Sequence, residues 1–205
     1  MIKKKKYKNL KDYHNDYFIE LNKSFDNKAK NDLKKIIRFL EKKYKSKSSI
    51  FVCGNGGSAA IANHFECDHK KILADTFKIK PKILSLCGNN ALITAIANDY
   101  SYDQIFKKQL EYLSIKNDVL ITISSSGNSE NIIEAIKYAK KKSIKVISFT
   151  GFNGGRSKKM CDLNLHVKSK NYGIIENLHH AYMNIISQFI KFGVLSNSQI
   201  RKYKF

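Results

Sequence analysis

Apolar and polar positions follow two different patterns along the chain, and the first of them covers residues 1–47. Here apolar residues recur at spacings of three and four, with Lys and Glu between them, which places them on one face of an amphipathic helix. These positions are Leu33, Ile36, Ile37 and Leu40. The pattern breaks near residues 24–27, so we expect two helices in this N-terminal segment.

The second pattern consists of five short, apolar and β-branched runs that alternate with helical stretches. The runs are 49–53, 82–87, 118–124, 144–149 and 162–167. This alternation predicts parallel strands joined by helices that cover both faces of a doubly wound α/β sheet. Stretches 129–142 and 174–192 predict two of these helices, of which the second is long and C-terminal. Since no repeat or low-complexity linker interrupts the chain, we expect a single domain over 1–205 with its α/β core at 48–195.

Two loops rich in glycine and serine follow the first and third apolar runs. Gly54-Asn55-Gly56-Gly57-Ser58 follows the first run, and Ser124-Ser125-Ser126-Gly127-Asn128-Ser129 follows the third. Both loops precede helices, so both are expected at the carboxyl ends of parallel strands, where free N–H groups and helix N-termini attract anions. The hydroxyls of the second loop suit a phosphate monoester on a small polar molecule. They belong to Ser124, Ser125, Ser126 and Ser129.

Composition excludes several classes of protein. With 205 residues, 42% hydrophobic and 27% charged, the chain is typical of a globular domain. No apolar run approaches the ~18–20 residues needed to cross a bilayer, and the basic N-terminus is not followed by an apolar signal core. We therefore expect a cytoplasmic protein without a membrane partner.

The charge and the cysteines change this picture little. A net charge of +21 is compatible with nucleic-acid binding. The lysines are spread over nearly all predicted helices, and no nucleic-acid motif accompanies them, so a solvated lysine-rich surface is the favoured interpretation. Binding that collapses as salt rises would instead indicate nucleic acid.

The cysteines lack metal-site spacing and are expected to be reduced and packed. They are Cys53, Cys67, Cys87 and Cys161.

Two predicted helices have chemically active residues at helical spacing. His64 and Asp68, four residues apart behind the first loop, could bind a divalent metal or act as a general-base pair. Glu176, His180 and Asn184 share a stripe of the last helix, and His179 is rotated from it by about 100°. Taken alone, either set could equally be a polar helix surface. Asn98-Asp99 is predicted to be a turn, and it could also face a ligand.

Together these segments resemble the SIS (sugar isomerase) family, and within it the phosphoheptose isomerases. The resemblance extends from about residue 30 to residue 190. The motifs that show it are Cys53-Gly-Asn-Gly-Gly-Ser58, Ala97-Asn-Asp99, Ile123-Ser-Ser-Ser-Gly-Asn-Ser129, Thr150-Gly-Phe-Asn-Gly-Gly155 and Asn171-Tyr-Gly-Ile-Ile-Glu-Asn-Leu-His179. It implies a flavodoxin-like SIS sheet and a homotetramer with active sites between subunits.

The resemblance also implies an activity and a set of site residues. Such an enzyme converts sedoheptulose 7-phosphate to D-glycero-manno-heptose 7-phosphate, for capsule or lipopolysaccharide heptose. The phosphate would be held by Ser124, Ser125, Ser126 and Ser129. The sugar chain would contact Asn55, Gly56, Gly57, Ser58, Asn98, Asp99 and Glu176. Zinc and catalysis would involve His64, Asp68, Glu176 and Asn184. Asp68 is then the first candidate for the base that moves a proton through an enediol.

Three positions depart from the family pattern. The heptose isomerases usually have glutamate where this chain has Asp68, glutamine where it has Glu176, and histidine where it has Asn184. An amide cannot exchange protons near neutral pH, so Asn184 cannot replace that histidine as an acid or base. His180, one turn earlier on the same stripe, is the candidate substitute. The sequence does not decide whether His179 or His180 faces the site.

Two other functions stay open at this point. A non-catalytic SIS protein would keep residues 124–129, named below the phosphate loop, and would bind a phosphosugar and regulate through it without turnover. An isomerase of a different sugar phosphate would keep the same loop and change the rest of the pocket.

Overall fold

Five strands form one sheet in the computed structural model, which describes residues 6–46, 48–77 and 81–202. The strands are β1 (Ile50–Gly54), β2 (Ile83–Ser85), β3 (Val119–Ser124), β4 (Lys145–Thr150) and β5 (Leu163–His166). They pair in the order β2-β1-β3-β4-β5, and every pair is parallel. The predicted five-stranded, flavodoxin-like sheet is confirmed, with each strand near its predicted position.

Helices connect the strands and precede them. They are α1 (Leu10–Lys23), α2 (Asn27–Lys45), α3 (Gly57–Phe77), α4 (Asn90–Asp99), α5 (Ile105–Leu113), α6 (Glu130–Lys141), α7 (Gly155–Met160), α8 (Tyr172–Phe192) and α9 (Asn197–Lys202), with a 3-10 turn at Tyr102–Gln104. The predicted break between the two N-terminal helices is confirmed. It occurs where the Asp26 side chain accepts a hydrogen bond from the Ala29 N–H and begins α2. Residues 1–5, part of the predicted N-terminal segment, lie outside the described residues.

The core lies between the sheet and two groups of helices. Strands β1 and β3 are buried along their whole length, as expected for parallel strands covered on both faces. Helix α3 packs against β1, β2 and α8, whereas α6 packs against β3, β4 and α5. The apolar stripe of α2 is buried, with Ile36 and Leu40 almost fully enclosed. In the described part of the chain, no helix is long and apolar enough to span a membrane.

Two local predictions were wrong. Asn98 and Asp99 do not form a turn but end α4, because helical hydrogen bonding continues to the Tyr100 N–H, 3.0 Å from the Ile96 oxygen. The four cysteines are free, but Cys67 is exposed rather than packed. It lies two residues after the buried Phe65 on α3, which turns it by about 200° away from the core-facing side.

Candidate functional site

The two predicted loops lie side by side because β1 and β3 are neighbours at the point where the strand order reverses. In open α/β sheets, this is the crevice where ligands bind. Asn55, directly after β1, and Asn131, in the first turn of α6, exchange two amide hydrogen bonds of 2.9 Å each. The Tyr102 hydroxyl also donates to Asn55 Oδ1 at 3.2 Å. The loop after β1 is therefore fixed to the helix that follows the phosphate loop.

Glycines shape the loop after β1. Gly56 is exposed and has a φ of 55°, a left-handed conformation that glycine adopts without strain. At Gly57, a Cβ atom would lie 2.6 Å from Glu176 Oε2, so glycine lets this carboxylate of α8 rest on the loop. Ser58 is buried in the first turn of α3, and its N–H donates to the Asn55 oxygen. The structure thus brings Glu176, one of the residues assigned to the site by resemblance, to this loop.

The phosphate loop after β3 is held by backbone contacts. Gly127 has a φ of 65°, and its N–H donates to the Ser124 oxygen at 3.1 Å. A Cβ atom on Gly127 would lie 2.1 Å from the Gly154 oxygen, so the loop packs directly on the β4–α7 loop. The Ser157 N–H donates to the Gly127 oxygen at 2.9 Å. This close packing leaves no room for a side chain at Gly127.

The four predicted hydroxyls divide into two kinds. Ser124 Oγ accepts from the Gly127 N–H, and Ser126 Oγ accepts from the Asn128 N–H, so both support the loop. Ser125 Oγ is buried and has no hydrogen-bond partner within the described residues. Ser129 occupies the N-cap position of α6, but its side chain makes no capping hydrogen bond. Ser125 and Ser129 therefore retain the capacity to bind a ligand oxygen.

The exposed side chain of Arg156 on α7 is hydrogen-bonded to the phosphate loop and to the first turn of α6. Its Nη2 donates to the Asn128 oxygen at 2.8 Å and to Glu130 Oε2 at 2.6 Å. The hydrogen bond from Arg156 lowers the pKa of the Glu130 carboxyl below its usual value. Since this guanidinium is paired with a carboxylate, its charge is largely neutralised next to the loop.

A cleft of about 490 Å³ lies beside the phosphate loop, and its lining includes a lysine that the sequence analysis did not single out. Three loops, after β3, β4 and β5, contribute to the lining. The lining residues are Ser126, Asn128, Phe152, Asn153, Lys170 and Tyr172. The rings of Phe152 and Tyr172 meet edge to face, with centroids 4.7 Å apart. The position of Lys170 after the last strand was the available indication, but the many lysines elsewhere obscured it.

A second cluster joins α3 and α8. His64 Nε2 lies 3.2 Å from Asp68 Oδ1, and His64 Nδ1 is hydrogen-bonded to His180 Nε2 at 2.6 Å. His64 therefore lies between the carboxylate and the second histidine, with one ring nitrogen facing each. Asp68, His64 and His180, named below the acid–base cluster, were all predicted site residues, and the structure brings them together.

His180, not its neighbour, belongs to this cluster. His179 points into the core, where it is fully buried and its Nε2 lies 3.2 Å from the Thr150 oxygen. Burial lowers the pKa of His179 to about 4, so it stays neutral. Partial burial, and then the nearby His64, lower the pKa of His180, whereas Asp68 opposes the shift. His180 is therefore mainly neutral near pH 7 and has a basic ring nitrogen.

The residues implied for zinc do not fit a tetrahedral ion in this arrangement. Two imidazole nitrogens on one zinc, each 2.0–2.1 Å away, stand roughly 3.3 Å apart, whereas those of His64 and His180 are 2.6 Å apart. Asp68 faces the other nitrogen of His64, and Glu176 rests on Gly57. Within residues 6–46, 48–77 and 81–202, no three His, Cys, Asp or Glu are grouped to hold a metal.

Asn98, Asp99 and Asn184 lie at the margins of these features. Asn98 and Asp99 are exposed at the end of α4, where Asn98 Nδ2 donates to Asp99 Oδ1 at 3.0 Å. Asn184 is half-buried on α8, one turn after His180. None of the hydrogen bonds found between described side chains joins these three residues to either loop or to the acid–base cluster.

Comparison with known proteins identifies the family. The family model of the SIS domain matches residues 13–151. A phosphoheptose isomerase of Aliarcobacter butzleri is 39% identical over 161 residues, which cover 77% of this chain and 83% of the relative. One of Helicobacter pylori is 38% identical over 162 residues, which cover 78% and 82%. The chain belongs to the phosphoheptose isomerases of the SIS family.

Solved structures agree with this assignment. The phosphoheptose isomerase of Neisseria gonorrhoeae superimposes with a TM-score of 0.81 at 29% identity, over 90% of this chain and 100% of that one. The enzyme of Francisella tularensis gives a TM-score of 0.78 at 30% identity, over 90% and 99%. The predicted family, fold class and isomerase class are confirmed.

Proposed function

We propose that this chain converts sedoheptulose 7-phosphate to D-glycero-manno-heptose 7-phosphate by proton transfer through an enediol. The observation that supports this most directly is the acid–base cluster of His64, Asp68 and His180, on helices that adjoin the loop after β1. That loop is tied through Asn55 to the helix behind the phosphate loop. These contacts support a site in which the acid–base groups and the anion-binding loop act on one substrate.

The phosphate end of the substrate is assigned to the loop after β3. Its hydroxyls and the N-terminus of α6 offer hydrogen bonds and a favourable dipole for an anion. Binding there would give the buried Ser125 hydroxyl a partner, and a buried polar group without one costs about 1–3 kcal/mol. Lys170 in the adjacent cleft supplies a positive charge that the loop itself lacks.

The sugar chain is assigned to the crevice between the loops. Its hydroxyls would meet amide, backbone and carboxylate groups. These belong to Asn55, Gly56, Gly57, Ser58 and Glu176, with Asn98 and Asp99 at the end of α4 as outer contacts. The proximity of Glu176 to Gly57 supports this part of the assignment.

The isomerisation moves one proton between adjacent carbons and a second proton between the oxygens of those carbons. A base removes a proton from C1, the C–H electrons form the C=C bond of the enediolate, and the π electrons of the C2 carbonyl move onto its oxygen. This oxygen takes the proton that the C1 hydroxyl gives up as it becomes the aldehyde. Return of the carbon-bound proton to the neighbouring carbon gives the aldose. The acid–base cluster has the residue types for these transfers.

Assembly, zinc and cellular role are further predictions from the resemblance. A homotetramer with sites between subunits is supported by exposed apolar side chains, Phe18 and Ile19 on α1 and Ile185 and Phe189 on α8. A cytoplasmic location and a role in capsule or lipopolysaccharide heptose synthesis belong to the hypothesis. Zinc, which the resemblance also implies, does not fit the arrangement of His64 and His180.

The proposal is tested by a proton NMR time course with sedoheptulose 7-phosphate and the purified protein. We expect the anomeric signals of the heptose 7-phosphate to appear until equilibrium is reached. Thermal stabilisation by the sugar phosphate without turnover would contradict the proposal and indicate a regulatory phosphosugar-binding protein. Turnover of another ketose phosphate, but not of this one, would indicate an isomerase of different specificity.

A further inference from the structure

His64 divides its two ring nitrogens between two partners. A carboxylate accepts hydrogen bonds but does not donate them, so the proton of neutral His64 is favoured on Nε2, 3.2 Å from Asp68 Oδ1. His64 Nδ1 is then an acceptor, and the hydrogen of the 2.6 Å bond comes from His180 Nε2. In this assignment the basic nitrogen of His180 is Nδ1.

His180 Nδ1 is the ring nitrogen of the acid–base cluster that is left without a hydrogen bond among the described residues. The ring of His180 is only partly buried. In this arrangement the Asp68 carboxylate orients His64, and His64 in turn orients His180. Each contact sets the proton position of the ring that follows.

We propose that His180 is the base that moves the carbon-bound proton, that Asp68 and His64 position it, and that this isomerase works without a bound metal. The proposal rests on the proposed function, and it assigns Asp68 a different role from the one its family position implies. It also explains how the site tolerates Asn184, since His180 provides an imidazole one turn earlier on α8.

The proton transfers balance without a metal. His180 Nδ1 takes the proton from C1 and becomes an imidazolium, the C–H electron pair becomes the C=C bond of the enediolate, and the π electrons of the C2 carbonyl move onto its oxygen. The proton of the C1 hydroxyl passes to the C2 oxyanion within the enediolate. The imidazolium then returns its proton to C2, the C=C electrons form the new C–H bond, and the electrons left on O1 form the aldehyde C=O bond. The Asp68 carboxylate stabilises the transient positive charge through His64, without accepting the proton itself.

The metal-free part of the proposal follows from the ring nitrogens of His64 and His180, which already bind other groups. His64 would have to give up one of its two contacts to bind zinc, and its nitrogen is too close to that of His180 for both to share an ion. The hydrogen-bonded cluster therefore competes with metal binding for the same atoms.

The first experiment measures kcat and KM for His180→Gln and His180→Ala. We expect kcat to fall about 10³-fold, with KM changed less than about twofold. His180→Gln keeps an N–H donor for His64 and guards against unfolding of the alanine variant. Added imidazole should restore turnover to His180→Ala in a saturable way, which a purely structural residue would not show. The matched control is Gln188→Ala, an exposed position two turns further along α8.

The second experiment measures bound zinc and turnover before and after dialysis against a chelator. We expect substoichiometric zinc and an unchanged kcat. Turnover lost with zinc and restored by one equivalent would overturn the metal-free part.

Full activity of His180→Gln or absence of imidazole rescue would overturn the assignment of the base. These results differ from failure of the proposed function, in which the unaltered protein would not turn over sedoheptulose 7-phosphate at all.

Discussion

The phosphate loop and the acid–base cluster are built in opposite ways. The loop is local: residues 124–129 are consecutive, and backbone contacts such as that of Gly127 with Gly154 fix its shape. The cluster is long-range: His64 and His180 are separated by 116 positions and meet only because α3 packs on α8. One site depends on backbone conformation, and the other on side-chain orientation.

This difference determines how each site tolerates change. A loop in which a Cβ atom would lie 2.1 Å from a backbone oxygen has no room for substitution at that position. A cluster of side chains can be rebuilt from a neighbouring turn of the same helix. His180, which contacts His64 one turn before Asn184, would in the proposed mechanism be such a replacement.

The largest effect should come from Asp68→Asn, which alters the cluster and spares the loop. An amide can donate to His64 Nε2 and so reverse the proton positions along the two rings, which would protonate the basic nitrogen of His180. We expect kcat to fall about 10³-fold with little change in the melting temperature. Histidine ¹⁵N NMR should show the change of tautomer. Normal turnover, or loss of activity with unchanged tautomers, would contradict the positioning role.

Gly127→Ala should have the next largest effect, because it alters the loop and spares the cluster. The positive φ and the contact with the Gly154 oxygen both oppose a side chain. We expect a loss of about 2 kcal/mol or more in the free energy of unfolding, together with a raised KM. Gly193→Ala is the control, since a Cβ there meets only ordinary contacts at 3.6 Å. Equal stability of the two variants in urea unfolding would show that the loop is not rigid.

Lys170→Ala should have the smallest effect of the three and would sharpen the assignment of the phosphate end. Removing one exposed cation from the cleft should raise KM about tenfold, or ~1.4 kcal/mol, and leave kcat nearly unchanged. Lys159→Ala, at an exposed position on α7, controls for the loss of one positive charge. An equal rise in KM in both variants would indicate general attraction of the substrate by the positive surface.

The sequence was sufficient for the sheet and for the loops, because both depend on neighbouring residues. The five apolar runs lie close to the five strands, and the glycines that shape the loops are within the motifs themselves. The turn at Asn98-Asp99 was predicted wrongly because both residue types favour turns, whereas the helical hydrogen bonding of α4 continues through them.

The cluster could be predicted only in part. Helical spacing places His64 near Asp68, but it does not state which of His179 and His180 faces α3. That depends on the rotation of α8 against the sheet, which buries His179 completely. Lys170 was missed for a similar reason, since the cleft forms only when the three loops at the strand ends meet. The predicted division at residues 47 and 48 stays a prediction.

The paired amides of Asn55 and Asn131 have a consequence for the evolution of the chain. Each amide satisfies the other, and Asn131 is almost fully buried. Replacing either residue alone would leave the other with unmet hydrogen bonds, at a cost of about 1–3 kcal/mol. Viable lineages are therefore expected to keep both residues or to exchange them together, so that positions 55 and 131 should covary among relatives.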